Sequence, residues 1–214
     1  MFKNFVGPRI PTNATHTERA RYRRPAVLFV VAATVLLVSI FLPYWRMKLL
    51  APQYPRGLEV QVYVNRLTGD VNEIDGLNHY IGMRPLDEAA QLERSISILA
   101  IVILVLLVLA AVQIHSKWTV LFTLPALLMP FLFLADMYYW MRNFGLNLDP
   151  HAALSSSIGP FVPPILGRGK VGQFETVASF DIGLWLAFLA VVLILVGLYY
   201  HRQMYKPLVE SVAK

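Results

Sequence analysis

A short segment near the middle of the chain concentrates side chains that could bind a metal ion. His79 and Met83 are four residues apart, so one helical turn would bring an imidazole and a thioether to the same face. This pairing suits Cu(I), and the chain has no cysteine that could supply a thiolate instead. Further ligands could come from His151, Asp149 or Met47. The sequence therefore predicts a copper-binding or cofactor-facing patch that contains His79, Met83 and His151.

Two other interpretations of these residues stay open. His79 could hydrogen-bond the loop together while Met83 packs on the membrane surface, or both could contact the cofactor of a partner protein. Gly82 lies between them in the chain and is unfavourable inside a helix. No combination of nucleophile, base and orienting group stands out in the sequence, so it does not indicate catalysis by this chain alone.

Three more titratable residues lie in or beside apolar stretches of the sequence. Asp136 falls near the end of one stretch, where an acid could relay protons or bind an ion, or could reach interfacial water and Arg142. His115 and His201 follow two other stretches, and they could ligate one haem or act as interfacial polar caps. The sequence leaves these alternatives open.

Four apolar stretches must position these groups. With 57% hydrophobic residues and a mean hydropathy of +0.54, the chain is too apolar for an ordinary soluble domain. Each stretch approaches the roughly 20 residues that a helix needs to cross the hydrocarbon of a bilayer. The predicted transmembrane helices cover residues 26–45, 96–114, 120–140 and 182–200.

The distribution of charge predicts the orientation of these helices. Segments 1–25, 115–119 and 201–214 together contain ten basic and two acidic residues, whereas the two long loops contain nine basic and ten acidic residues. The positive-inside rule therefore predicts that both termini are cytoplasmic. Because membrane orientation accounts for the net charge of +6, nucleic acid is not an expected partner.

The two long loops, residues 46–95 and 141–181, form the predicted extramembrane part. Residues 58–64 mostly alternate apolar and polar side chains, which indicates a short strand, and residues 86–94 have the pattern of an amphipathic helix. The second loop is rich in proline and glycine, and we expect it to pack on the first loop or on a partner. The predicted fold class is an all-α membrane protein, with four transmembrane helices and a small extramembrane cap containing short β structure.

Segments 50–58, 76–83 and 161–174 resemble segments of small four-span membrane proteins from bacterial respiratory gene clusters. The clusters in question are particularly those for nitric oxide or nitrous oxide reduction and copper delivery. This resemblance implies a place in the bacterial inner membrane, with the long loops facing the periplasm. It also implies a context of copper or haem-copper respiration, in which copper is the expected cofactor.

These observations lead us to expect an accessory integral membrane subunit, or a copper-handling assembly factor, for a respiratory metalloenzyme. The enzyme would be of the haem-copper oxidase or nitrogen-oxide reductase type. The expected partners are the lipid bilayer and a larger membrane protein complex. The alternative is a purely structural subunit of such a complex, without metal chemistry.

Overall fold

Four long helices dominate the chain. The computed structural model describes residues 6–8, 15–154, 156–171 and 174–212. Within the described part, each of the four helices contains a segment of 21 to 29 residues that is long and apolar enough to cross a membrane, as predicted. They are α1 (His16–Ser39), α3 (Gln91–Ala111), α4 (Trp118–Leu146) and α5 (Ile182–Val212).

The chain divides into two compact units. The helical unit consists of Met1–Ser39, Leu99–Pro130 and Leu186–Lys214, and the sheet unit consists of Ile40–Ile98 and Phe131–Trp185. Each unit has its own buried residues.

The helical unit packs small residues against larger ones. Ala32 and Ala33 of α1 and Ala187 and Ala190 of α5 are all nearly inaccessible to solvent. A Cβ atom placed on Gly197 would lie 2.7 Å from the ring of Phe29, so α5 needs a glycine at that point. Such small residues let helix backbones approach closely, which is the usual way that transmembrane helices pack.

The sheet unit contains an antiparallel sheet of five strands, larger than the short β element that the sequence predicts. The strands lie in the order β3-β2-β1-β5-β4. Three come from the first loop and two from the second, so the second loop packs on the first through strand pairing. The strands are β1 (Trp45–Ala51), β2 (Tyr54–Val62), β3 (Leu67–Gly69), β4 (Gly167–Val171) and β5 (Phe174–Phe180).

The first helix ends earlier than the sequence predicts. It stops at Ser39, and Pro43 follows, a residue that cannot continue a helix. Trp45 is the first residue of β1; it is buried, and its Nε1 donates a hydrogen bond to the carbonyl oxygen of Ile165 at 2.7 Å. The prediction that residues 26–45 form one transmembrane helix therefore differs from the structure.

One face of the sheet is buried. Along β1 the side chains alternate strictly between buried and exposed, as expected for a strand with one solvated face. Helix α2 (Val71–Ile81), a short 3₁₀ helix (Leu86–Glu88) and the last turns of α4 supply the core on the buried side. The buried side chains of these elements are Ile74, Ile81, Leu86, Met137 and Phe144, and Met83, which follows α2, joins them.

Candidate functional site

The predicted metal-binding segment lies at the C-terminal end of α2. Gly82 terminates this helix in the left-handed conformation, with φ of 80°. The amide of Gly82 donates to the carbonyl oxygen of His79, and the amide of Met83 donates to that of Asn78 at 2.9 Å. These two bonds satisfy carbonyls of the last helical turn. The helix therefore ends between His79 and Met83, which the prediction had placed on one helical turn.

His79 and Met83 differ in exposure. The imidazole of His79 is exposed, whereas Met83 is 8% exposed and belongs to the core of the sheet unit. The structure thus gives the Met83 thioether a packing role. The packing is in the core of the sheet unit, whereas one interpretation of the sequence had placed Met83 on the membrane surface. Copper binding at these residues stays a prediction.

The second loop packs directly on the end of α2. The amide of Asp149 donates to the carbonyl oxygen of Gly82 at 2.8 Å, and the amide of Leu154 donates to that of Tyr80 at 2.9 Å. A Cβ atom at position 82 would lie 2.6 Å from the Asp149 carbonyl oxygen. Gly82 is thus required both by its backbone conformation and by the close approach of the loop that carries His151.

Asp149 and His151 form a small polar cluster beside His79. One carboxylate oxygen of Asp149 accepts a hydrogen bond from the His151 amide at 2.9 Å and lies 3.3 Å from His151 Nδ1. The hydrogen bond from the His151 amide lowers the pKa of Asp149, and the charges of His151 and His79 lower it further. The His151 side chain is 92% exposed. The cluster therefore presents two accessible imidazoles and a carboxylate that ionises readily.

The described residues hold no group of three or more His, Cys, Asp or Glu side chains that could bind a metal ion. Met47, a further candidate ligand, is buried in the sheet core. The structure thus brings His79 and His151 to one surface region and places both methionines in the interior.

Asp75 is an important residue that the sequence analysis missed. Its Oδ1 accepts a hydrogen bond from the Leu86 amide at 2.8 Å and lies 3.5 Å from the Asn78 side-chain amide. Burial raises the pKa of Asp75, although both hydrogen bonds act in the opposite direction. Asp75 therefore ties α2 to the following 3₁₀ helix through a partly desolvated carboxylate.

Arg46 and Asp181 form a second feature that the sequence analysis missed. Asp181 Oδ2 lies 2.6 Å from Arg46 Nη2 and 2.8 Å from Nε, and its Oδ1 accepts from the Ile182 amide at 2.7 Å. The hydrogen bond to Asp181 is the main cause that raises the pKa of Arg46. The pair joins the first strand to the start of α5.

His115 and His201 both contact Tyr205 in the helical unit. The ring centroids are 4.3 Å apart for His115 and 4.9 Å apart for His201. His201 Nε2 lies 2.9 Å from the Ile114 carbonyl oxygen and 3.2 Å from Thr119 Oγ1. Burial lowers the pKa of His115. Ring packing holds both imidazoles, and His201 has hydrogen-bond partners as well. The choice between haem ligation and polar caps stays open for His115 and His201.

Asp136 lies in α4, one of the four helices long and apolar enough to cross a membrane, and is partly buried. Glu93 at the start of α3 is the acid whose charge acts on it. Both residues belong to the sheet unit. The choice between an ion-handling carboxylate and an interfacial one stays open for Asp136.

Comparison with known proteins adds no family assignment. No protein-family model matches the chain, and no curated protein matches it in sequence. The functional argument therefore rests on the residues and their geometry.

Proposed function

We propose that this chain is an accessory subunit of a larger bacterial respiratory membrane complex, to which it presents its sheet unit. The observation that carries the proposal is the joining of two separate loops into one sheet with a packed core. Connecting loops have no need of such a core, whereas a surface that must keep one shape for a partner does. In the most apolar segments of α3 and α4, only 22% of the residues are buried. This leaves wide surfaces for lipid or for helices of another subunit.

Copper handling for the same complex is the second candidate. The exposed imidazoles of His79 and His151 favour it, because accessible imidazoles can accept and release a metal ion. In this alternative the sheet unit would hold the ligands close to the metal centre of the partner enzyme. The partner enzyme would then depend on the chain for its copper content.

The experiment is gentle purification of the full chain from its native membranes, followed by identification of the proteins and metals that co-purify. A strain without the chain would be examined in parallel for oxygen and nitrogen-oxide respiration. A structural subunit predicts an enzyme that fails to assemble but has a normal metal content per assembled enzyme. A copper-handling factor predicts an assembled enzyme that lacks copper and is partly rescued by added copper.

A double substitution, His79→Ala with His151→Ala, separates the two candidates further. Both side chains are exposed, so the variant should still fold and insert into the membrane. An assembled but copper-deficient enzyme in this strain supports copper handling, and a normal enzyme supports the structural role. Unchanged respiration on both acceptors in the strain without the chain would contradict both candidates.

A further inference from the structure

A cavity of about 140 Å³ lies in the helical unit. It is bounded by α1, the C-terminal end of α3 with the link that follows, and α5. This volume corresponds to about four or five water molecules at liquid density. The cavity therefore has room for one small polar group.

The polar side of the cavity carries one fixed positive charge, that of Arg23. Arg23, His115 and His201 line it together with Tyr22 and Tyr205, and none of its described lining residues is acidic. Among residues that the structure describes, the Arg23 guanidinium forms no salt bridge, and His115 Nδ1 is buried without a hydrogen-bond partner. These groups suit an oxyanion, for which arginine supplies charged, forked donors.

The exterior of α1 beside the cavity has the character of a lipid-facing surface. Val27, Val30 and Val31 follow Arg23 at helical spacings of four, seven and eight residues, so the four side chains form one stripe. The three valines are 58%, 45% and 43% exposed. An arginine at the end of an exposed apolar stripe is placed where headgroup phosphates meet acyl chains.

We propose that this site binds one anionic phospholipid, with its phosphate at Arg23 and the mouth of the cavity and an acyl chain along Val27, Val30 and Val31. The remaining wall of the cavity is apolar, with Phe29 and Val112, and suits the glycerol carbons next to the phosphate. Charge asymmetry predicts this end of the helices to be cytoplasmic, the side on which basic pockets between helices hold anionic headgroups.

The test uses the full chain, purified in detergent and stripped of native lipid. Retention of phosphatidylglycerol and of phosphatidylcholine is measured by native mass spectrometry, and binding of inorganic phosphate is measured by calorimetry. Arg23→Gln is compared with Arg21→Gln, which removes an equal charge from an exposed position of the same helix outside the cavity lining. Circular dichroism checks that each variant retains its helices.

We expect phosphatidylglycerol to bind more tightly than phosphatidylcholine, and Arg23→Gln to weaken its binding about tenfold. Arg21→Gln should change the affinity less than twofold. Equal losses in both variants would indicate diffuse attraction to basic residues and overturn the proposal, as would equal binding of the two lipids. If inorganic phosphate binds in a way that depends on Arg23 and phosphatidylglycerol does not bind, the ligand of the site is free phosphate and the lipid proposal is wrong.

A second variant tests the cavity without changing its charge. Ala26 lines the cavity, so Ala26→Phe should fill it and reduce phosphatidylglycerol retention. Val192→Phe places the same ring on an exposed position of α5 and should leave retention unchanged. If Ala26→Phe, with its helix content intact, retains the lipid as well as the unmodified chain, the cavity does not take part and the proposal is wrong.

Discussion

The carboxylate of Asp181 holds the guanidinium of Arg46 at 2.6 Å while also accepting a hydrogen bond from the first amide of α5. The two side chains differ in exposure, at 11% for Asp181 and 45% for Arg46. One carboxylate thus fixes the position of the first strand and the beginning of the last helix.

Replacement of Asp181 by alanine should destabilise the sheet unit. The change removes both the pairing with Arg46 and the acceptor for the Ile182 amide, and we expect a loss of about 1–2 kcal/mol. The measurement is the midpoint of thermal unfolding in detergent. Glu175→Ala is the control: it breaks an ion pair with Arg168 whose side chains are 45% and 79% exposed, and should cost less than about 0.5 kcal/mol. Equal shifts would contradict the role assigned to Asp181.

Gly82→Ala should destabilise the sheet unit by about 1–3 kcal/mol. The substitution forces a side chain into a left-handed conformation and against the Asp149 carbonyl oxygen. Gly76→Ala is a matched control within α2, because a Cβ atom there meets nothing within 4 Å. Because alanine favours the helical conformation more than glycine does, the stability of this control should rise by about 0.5–1 kcal/mol. Chemical denaturation should show that the free energy of unfolding falls in Gly82→Ala and rises in Gly76→Ala. A change of the same sign in both variants would contradict the close approach of the second loop.

The Asp75→Asn variant should gain stability relative to the unmodified chain as the pH rises. Because burial raises the pKa of Asp75, the folded state favours its protonated form. The contribution of this group to stability is complete below the ordinary aspartate pKa of about 3.9 and declines as the pH rises through the higher folded value. Asparagine can still accept the bond from the Leu86 amide and does not ionise.

The measurement for Asp75→Asn is a series of thermal unfolding midpoints from about pH 4 to pH 7. Across this range, the unfolding midpoint of the variant should rise relative to that of the unmodified chain. Glu73→Gln, an exposed position on the same helix, is the control and should give a difference that changes little with pH. A constant difference for Asp75→Asn would show that its desolvation is unimportant.

Reporter fusions test the orientation of the four helices. A reporter inserted after residue 70 or after residue 160 should behave as exported, and one fused to the C-terminus should behave as cytoplasmic. The reason is the surplus of basic residues in the segments that include both termini. A cytoplasmic result at either loop position would reverse the orientation.

The copper hypothesis has a direct binding test on the purified full chain. His79→Ala combined with His151→Ala should abolish Cu(I) uptake, because these two imidazoles are exposed beside Asp149. Met83→Leu preserves the packing of the core and reports whether the buried thioether takes part. If the unmodified chain takes up no copper, His79 and His151 have no metal role. Membrane insertion of every variant is checked by fractionation.

The four helices could be predicted from sequence because a bilayer demands long apolar stretches, and these are visible without knowledge of any contact. The β pattern of residues 58–64 was also informative and corresponds to β2. The strand from Trp45 was missed, because Trp45 continues the apolar run of the first predicted transmembrane helix, residues 26–45. The feature that identifies this strand is the alternation of buried and exposed side chains along β1.

The site was less predictable than the fold. Helical spacing placed His79 and Met83 together, but the left-handed Gly82 ends the helix between them and directs Met83 into the core. The pairing of Arg46 with Asp181 joins residues 135 positions apart in sequence. A single sequence contains no local pattern that identifies such a distant partner, whereas the antiparallel strand register aligns the beginning of β1 with the end of β5.

The position of β1 at the middle of the sheet has a consequence for biosynthesis. The strands on one side of it, β2 and β3, follow it immediately, but β5 is translated after helices α2, α3 and α4 and directly before α5. Until β5 has been made, one edge of β1 has no partner strand, and such an edge invites pairing with other chains. The sheet is therefore completed only shortly before α5 is made, so a nascent chain stalled before residue 174 would present an aggregation-prone edge.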